Sequence, residues 1–364
     1  KGILYAGTEA GIYISYDDGN SWKSFQKNLP IVPITDITIK DNSLVVATQG
    51  RSIWMLDDLT VLHQLNQNVK ENDITLFKPK TSYRTKGSGG KISKTSGTNI
   101  ENGVIVYYNL KDYDSKKDSV SISFYNMDGI KIKSFNNYEE KHNFNPRKGS
   151  NKFVWDTRAE SAEVLDGMIF WWASFNASKL VPGKYQVGLS KNGKEKRETF
   201  EILIDPRSEI DLEDIQLQFD FVNAINKTVD KAHKAIKNIR QINKKLKEFE
   251  SNYNHKIKVK ELTEKSKFLR EKLSNVEKEL YQTKNRSNQD PLNFPIKLTN
   301  KLAHLVSLVT LSDFRPTDQD QAVKKELTSL IDNELKKYYK LINEELPKFN
   351  KEFAALELDY LKLN

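Results

Sequence analysis

Cysteine is absent from the 364 residues, which excludes disulfides, thiolate catalysis and every zinc site that uses a thiolate. Histidine is scarce. The five imidazoles, His63, His142, His233, His255 and His304, include no i, i+4 pair and no His-Glu-x-x-His run, so we expect neither a bound metal nor a cofactor. Long apolar runs are missing too, and nothing approaches the roughly 20 residues that a membrane helix needs. No transmembrane segment is expected.

Charge of one sign is in mild excess, 58 Lys and Arg against 49 Asp and Glu. Nucleic-acid binding gains its affinity from a clustered basic stripe. Here the surplus is divided about evenly between the two halves of the chain, so nucleic acid is not the expected partner. The length allows two or three domains at roughly 100–200 residues each. The chain opens at Lys1-Gly2-Ile3-Leu4-Tyr5 in strand-like alternation, with no charged-then-apolar leader. A piece of a longer precursor is the expectation.

Residues 1–65 read as short strands, Ile3–Gly7, Gly11–Tyr16, Trp22–Phe25, Ile34–Ile39, Ser43–Thr48 and Ser52–Leu56, separated by Gly, Asp and Asn turns. Between the second and third lies Ser15-Tyr16-Asp17-Asp18-Gly19-Asn20-Ser21-Trp22, which satisfies the Asp-box pattern Ser-x-Asp-x-Gly-x-Ser/Thr-Trp. Ser15, Asp17, Gly19, Ser21 and Trp22 are expected to be structural: the carboxylate accepts backbone N–H groups, Gly permits positive φ, and the Trp packs on the blade. Arg51, in the Gly50-Arg51-Ser52 turn, is a candidate binding residue. The competing expectation for it is stacking on Trp54 or pairing with Asp57 or Asp58.

Residues 66–102 read as a linker and a long surface loop, the stretch Tyr83–Asn99 being rich in Gly, Ser, Thr and Lys. From 103 to 206 the strand candidates are Gly103–Leu110, Ser119–Met127, Ile130–Phe135, Asn151–Asp156, Met168–Phe175, Gly183–Ser190 and Glu198–Ile204. Hairpin turns at Asp128-Gly129 and Asn192-Gly193 join them into a β-sandwich. Trp155, Tyr185 and Val187 share inward faces. In Phe170-Trp171-Trp172, one Trp is expected in the core and the other exposed, which makes Trp171 and Trp172 candidate binding residues.

After Asp205-Pro206 the period changes. Ile215, Phe219, Val222, Ile225, Val229, Ile236 and Ile239 recur at helical spacing, with Asp211 as N-cap and Asp214 standing in for the box Glu. Further helices are expected over 257–286, 295–311 and 317–350. The turn holding Pro291 and Pro295 reverses the chain, so residues 207–364 read as an antiparallel helical bundle.

Ala6-Gly7-Thr8-Glu9 before the box, and Ala47-Thr48-Gln49-Gly50-Arg51-Ser52-Ile53-Trp54 after it, resemble the closing blades of sortilin-like Asp-box (BNR-repeat) β-propellers of large exported bacterial proteins. Gly149–Asp156 together with Val181-Pro182-Gly183-Lys184-Tyr185-Gln186-Val187 is similar to an immunoglobulin-like module of secreted bacterial proteins. Glu279–Leu302 and Phe314–Gln319 resemble the helical region that follows such propellers. The resemblance implies a multidomain β + α chain: the end of an Asp-box β-propeller, an immunoglobulin-like β-sandwich and a C-terminal antiparallel helical bundle.

Its functional implication is a non-catalytic binding or scaffold part of an exported protein, periplasmic, outer-membrane-associated or extracellular. Blades from the same precursor or another chain would complete the propeller, and a protein or glycan ligand would dock on it. The alternative is the accessory region of a sialidase-like glycoside hydrolase. That resemblance requires three arginines for the substrate carboxylate, and the first 80 residues hold only Arg51. No catalytic residue is assigned.

Overall fold

In the computed structural model, residues 2–65, 69, 71–85, 101–139, 144–253 and 257–356 are described. The chain divides into two compact units, Lys1–Thr157 with Pro182–Asp205, and Arg158–Val181 with Pro206–Asn364. The named strands all fall in the first and the long helices in the second.

The first unit opens with two three-stranded antiparallel sheets. One is β1 (Leu4–Thr8), β2 (Gly11–Ser15) and β3 (Lys23–Ser24), and the other is β4 (Ile34–Lys40), β5 (Ser43–Thr48) and β6 (Ile53–Leu56). Alternation turns Ile12 and Ile14 of β2, and Leu44 and Val46 of β5, into one small core with Phe25 and Leu59. The central strands are therefore buried while β1, β4 and β6 stay largely exposed. A short helix, α1 (Thr60–Gln64), follows.

Two more sheets complete this unit. They are built from β7 (Ile74–Leu76), β8 (Ser82–Arg84), β9 (Val104–Leu110), β10 (Val120–Tyr125), β11 (Lys131–Asn136), β12 (Gly149–Trp155), β13 (Gly183–Lys191) and β14 (Lys194–Ile204). Their orders are β11-β10-β13-β14-β8 and β12-β9-β7, with β8 parallel to β14. The sheets pack face to face. Phe124 of β10 stacks on Trp155 of β12 with ring centroids 3.9 Å apart, and Phe135 of β11 lies 4.8 Å from Phe153 of β12. Val104, Val106, Tyr108 and Leu110 alternate inward along β9. At the start of β9, Gly103 has φ +126°, and a Cβ there would come within 2.1 Å of the Trp155 carbonyl oxygen. Only glycine lets the strands close at that point.

The expected linker differs from what is found, because residues 66–102 supply β7 to one sheet and β8 to the other. Three-residue strands are too short to display alternation, and Ile74, Leu76 and Phe77 are buried nonetheless. The Gly- and Ser-rich part of the expected loop, residues 86–100, lies outside the described residues.

The second unit is organised around α2 (Leu212–Tyr253), against which pack α3 (Lys260–Leu280), α4 (Leu298–Val309) and α5 (Asp318–Lys340). Phe221, Val222, Ile225, Val229, Ile236 and Ile239 form its buried stripe. Phe219 is only half-buried, so the expected core aromatic is Phe221 instead: both fit a broad apolar arc, and the helix is turned so that 221, 222, 225 and 229 face inward. Asp214, expected in a capping role, pairs with Arg315 at 2.5 Å. A capping box does occur at α5, where Thr317 Oγ1 accepts the Asp320 N–H and the Asp320 carboxylate accepts the Thr317 N–H. Ahead of α4 the chain turns, with Asp290 Oδ2 accepting the Arg286 and Ser287 N–H groups beside Pro291.

After α5 the helical path continues through a single π-helical turn, Leu341–Glu345, into α6 (Leu346–Ala355). Pro347 explains the turn. In a regular α-helix its ring would collide with the carbonyl four residues earlier, and widening the turn relieves that contact.

Residues 158–181 overturn two expectations. Met168–Phe175 is not a strand, and the segment belongs to the helical unit rather than to the sheets. Its backbone is irregular, and helix side chains answer its hydrogen-bonding groups. Tyr281 Oη accepts the Ile169 N–H at 2.9 Å, and the Asn300 side chain accepts from Trp171 N and donates to Trp171 O, both at 2.8 Å. Phe170 and Phe175 pack on the helical core.

Phe221→Ala is expected to cost ~3–5 kcal/mol as a core truncation, measured by urea denaturation, with Phe219→Ala costing clearly less. A 207–364 fragment lacks the 158–181 segment and leaves without partners the helix donors and acceptors that bond it. Thermal melts followed by circular dichroism should show a low midpoint that rises when a 158–181 peptide is added, and no response to the peptide would mean that the segment is dispensable.

Candidate functional site

Within the Ser15–Trp22 turn, the side chains satisfy the turn itself. Ser15 Oγ, fully buried, donates to Asp17 Oδ1 at 2.8 Å and accepts the Gly19 N–H at 2.9 Å. Asp17 accepts the Ser21 N–H at 2.8 Å and the Ser21 hydroxyl at 2.5 Å. Gly19 sits at φ +92°, as the tight turn requires. These bonds, first that from the Ser21 hydroxyl, pull the Asp17 carboxyl down to about 2. Trp22 is less covered than expected, 43% exposed, because nothing among the described residues lies over its outer face.

Arg51 departs from the expected pairing. Among the described residues its guanidinium reaches only the Gly50 carbonyl, at 3.3 Å, and its own carbonyl accepts the Trp54 indole N–H at 2.8 Å. Asp58 is engaged elsewhere, accepting the Thr60 N–H and the Asn42 amide. Those two bonds occupy that carboxylate locally.

Trp171 and Trp172 lie on the irregular segment of the second unit. Trp171 is half-buried and Trp172 is 71% exposed. Trp172 also has φ +54°, a conformation that costs a bulky residue on the order of 1–3 kcal/mol. Neighbours hold it there: the Trp172 carbonyl accepts from His304 Nδ1 and Ser307 Oγ, each at 2.8 Å, and Ser174 N donates to the Ala303 carbonyl at 3.1 Å.

His233 is fully buried against the paired rings of Phe170 and Phe175, its Nδ1 donating to the Glu163 carbonyl. Nε2 has no partner among the described residues. Burial pushes its pKa below the usual histidine value, outweighing the Glu163 carbonyl and the Asp230 charge.

A groove of about 660 Å³ opens between α2 and α3. On α2, Arg240, Asn243, Lys244 and Lys247 line it at i, i+3, i+4 and i+7, the spacing that places side chains on one face. Across from them stand Arg270, Ser274, Glu277 and Lys278 of α3 and Tyr281 just past its end, with Asn285 and Arg286 beyond. Arg240 pairs with the buried Glu277 at 2.7 Å, and Arg270 with Glu250 at 3.0 Å. Lys244, Lys247, Lys278 and Arg286 have no carboxylate within 4.0 Å among the described residues. Sequence reading missed this site because each helix also carries acids, and counting charge along the chain does not register two helix faces brought together. The i, i+3, i+4, i+7 run on α2 is the one signal that pointed to it. No three His, Asp or Glu side chains converge into a metal-holding group among the described residues, and no helix is long and apolar enough to cross a membrane.

No protein-family model matches the chain, and no curated protein does. A solved chain described as pT26-6p is 11% identical, the likeness covering 66% of this chain and 46% of that one, with a TM-score of 0.10. The present chain thus spans less than half of that structure, and at this score the likeness carries no argument.

Two pH effects with the same sign follow. The unfolded chain binds a proton at His233 more readily than the folded one, so this contribution is present above about pH 6.5 and is lost as pH falls below it. His233→Gln should flatten that limb of a pH series of urea midpoints. Asp17 acts lower on the scale: its stabilisation holds above the unfolded value of 3.8 and is lost as pH falls through about 2. A carboxyl NMR titration of Asp17 ending near 4 would refute the turn geometry.

Proposed function

We propose that this chain is a non-catalytic binding or scaffold part of a larger exported cell-envelope protein. In this reading residues 1–65 are closing blades of a sortilin-like Asp-box propeller, the facing sheets of the first unit are an immunoglobulin-like sandwich, and the helical unit follows them. One observation carries the proposal. Propeller blades are four-stranded, whereas the β1-β2-β3 and β4-β5-β6 sheets have three strands each and expose apolar side chains along open edges. Ile53 and Met55 of β6 are 70% and 63% exposed, and Leu4 of β1 and Trp22 at the end of the box are also uncovered.

Open strand edges of this kind are a liability in a soluble chain unless other strands cover them. Further Asp-box blades supply that cover, and the completed propeller face then offers a surface for a protein or glycan. The box contributes rigidity to it and no chemistry, since Ser15, Asp17 and Ser21 spend their hydrogen bonds on one another.

The test is the native assembly. Its mass should exceed the 42.0 kDa of this chain and peptide mapping should find additional Asp-box repeats, while backbone amides of β6 that exchange freely in the isolated chain should become protected. An assembly built only from this chain, or equal exchange in both states, would overturn the proposal.

A further inference from the structure

The α2–α3 groove holds more positive charge than its own acids neutralise. Arg240 and Arg270 are matched by Glu277 and Glu250, whereas Lys244, Lys247, Lys278 and Arg286 face the same 660 Å³ space without an acid in ion-pair reach among the described residues. Like charges gathered this way repel, and a bound anion removes the repulsion. Arg286 is also fixed in place, its Nη1 donating to the Thr283 and Asn285 carbonyls.

Polar atoms in the groove wall add a second, independent observation. Arg270 Nε, Asn243 Oδ1 and Asn285 Oδ1 are buried without a hydrogen-bond partner. Such orphaned groups are uncommon in folded proteins and call for a partner. Asn243 Nδ2 is already committed to Ser274 Oγ at 3.1 Å, so its oxygen is the end left over. An anion alone does not answer this set, because two of the three orphans are acceptors and require a donor. Asn243 and Arg270 are half-exposed, with room for the small side-chain rotation that brings these atoms to a ligand.

We propose that this groove binds a small anionic sugar, one molecule carrying both a phosphate or carboxylate and free hydroxyls. The anionic group sits against Lys244 and Lys247, Lys278 and Arg286 add to the positive field, and the hydroxyls donate to Asn243, Asn285 and Glu277. The spacing agrees with a ligand of that size: Arg240 and Lys247 are seven residues apart, about 10 Å along the helix, and the volume falls in the range that holds small molecules. Tyr281, buried beneath the groove with its ring 5.5 Å from the Arg240 guanidinium, closes the floor at that end. This inference is independent of the propeller reading, since every residue it uses lies in the helical unit.

Isothermal titration of the full chain at low salt, with glucose 6-phosphate, glucuronate, glucose, inorganic phosphate and a short single-stranded DNA as separate probes, tests it. At least one acidic sugar should bind more tightly than both glucose and phosphate; which one does so distinguishes a phosphate ligand from a carboxylate ligand. The double variant Lys244→Ala/Lys247→Ala, both residues exposed, should weaken that affinity about tenfold or more with an unchanged melting temperature. Asn243→Leu should reduce sugar-phosphate affinity towards that of phosphate alone. Absence of binding at millimolar probe, equal affinity for phosphate and sugar phosphate, indifference to the lysine variant, or tighter binding of DNA would each overturn the proposal.

Discussion

A stretch of irregular backbone laid against helices can be kept only if every amide it brings out of water finds a partner. Residues 158–181 meet that condition with help from the helices. Tyr281, Asn300, His304 and Ser307 each bond a main-chain group of the segment, and His233 bonds the Glu163 carbonyl from α2. The apolar side chains between those bonds, Phe170 and Phe175, then fill the space above His233. Remove the polar partners and the aromatic packing would have no fixed backbone to hang on. The strain at Trp172 is tolerated for the same reason, since its carbonyl is held twice.

The sequence made the regular parts of this chain readable and hid the irregular ones, for physical reasons that differ from place to place. Strands β1, β2 and β4 to β6, and most of β9 to β14, announce themselves by alternation and glycine-marked turns, because one face of each sheet is buried. The helices announce themselves by stripes such as Val222, Ile225 and Val229. Met168–Phe175 misled because consecutive apolar residues look the same whether they alternate across a sheet or lie coiled against helices. Choosing Phe219 over Phe221 was an error of phase: the arc of α2 is wide enough to admit both. Strands β7 and β8 were too short for any periodicity to register.

The candidate sites divide along the same line. The Ser15–Trp22 turn was legible in part, since a turn is a local object: the Asp17 carboxylate accepts an N–H and Gly19 takes a positive φ, whereas the Ser15 and Ser21 hydroxyl bonds and the exposure of Trp22 were not. The α2–α3 groove was not, because its cations come from helix faces that only the fold brings opposite one another. Arg51 shows the converse: a neighbouring carboxylate in sequence is no guarantee of pairing when the turn that holds it has its own N–H groups to satisfy.

The single wide turn before Pro347 carries a consequence for the rod that α5 and α6 form. One extra residue per turn advances the angular position of everything beyond it by about 100° relative to an unbroken α-helix with its 3.6-residue repeat. Phe349 and Phe353 owe their place to that offset, standing 5.6 and 5.5 Å from Phe249 at the far end of α2. The bulge thus works as a rotational adapter, coupling two hydrophobic seams that a straight helix could not align at once. Shortening or lengthening the chain between Leu341 and Glu345 by a residue would spin the terminal aromatics away from α2 while leaving everything upstream in register.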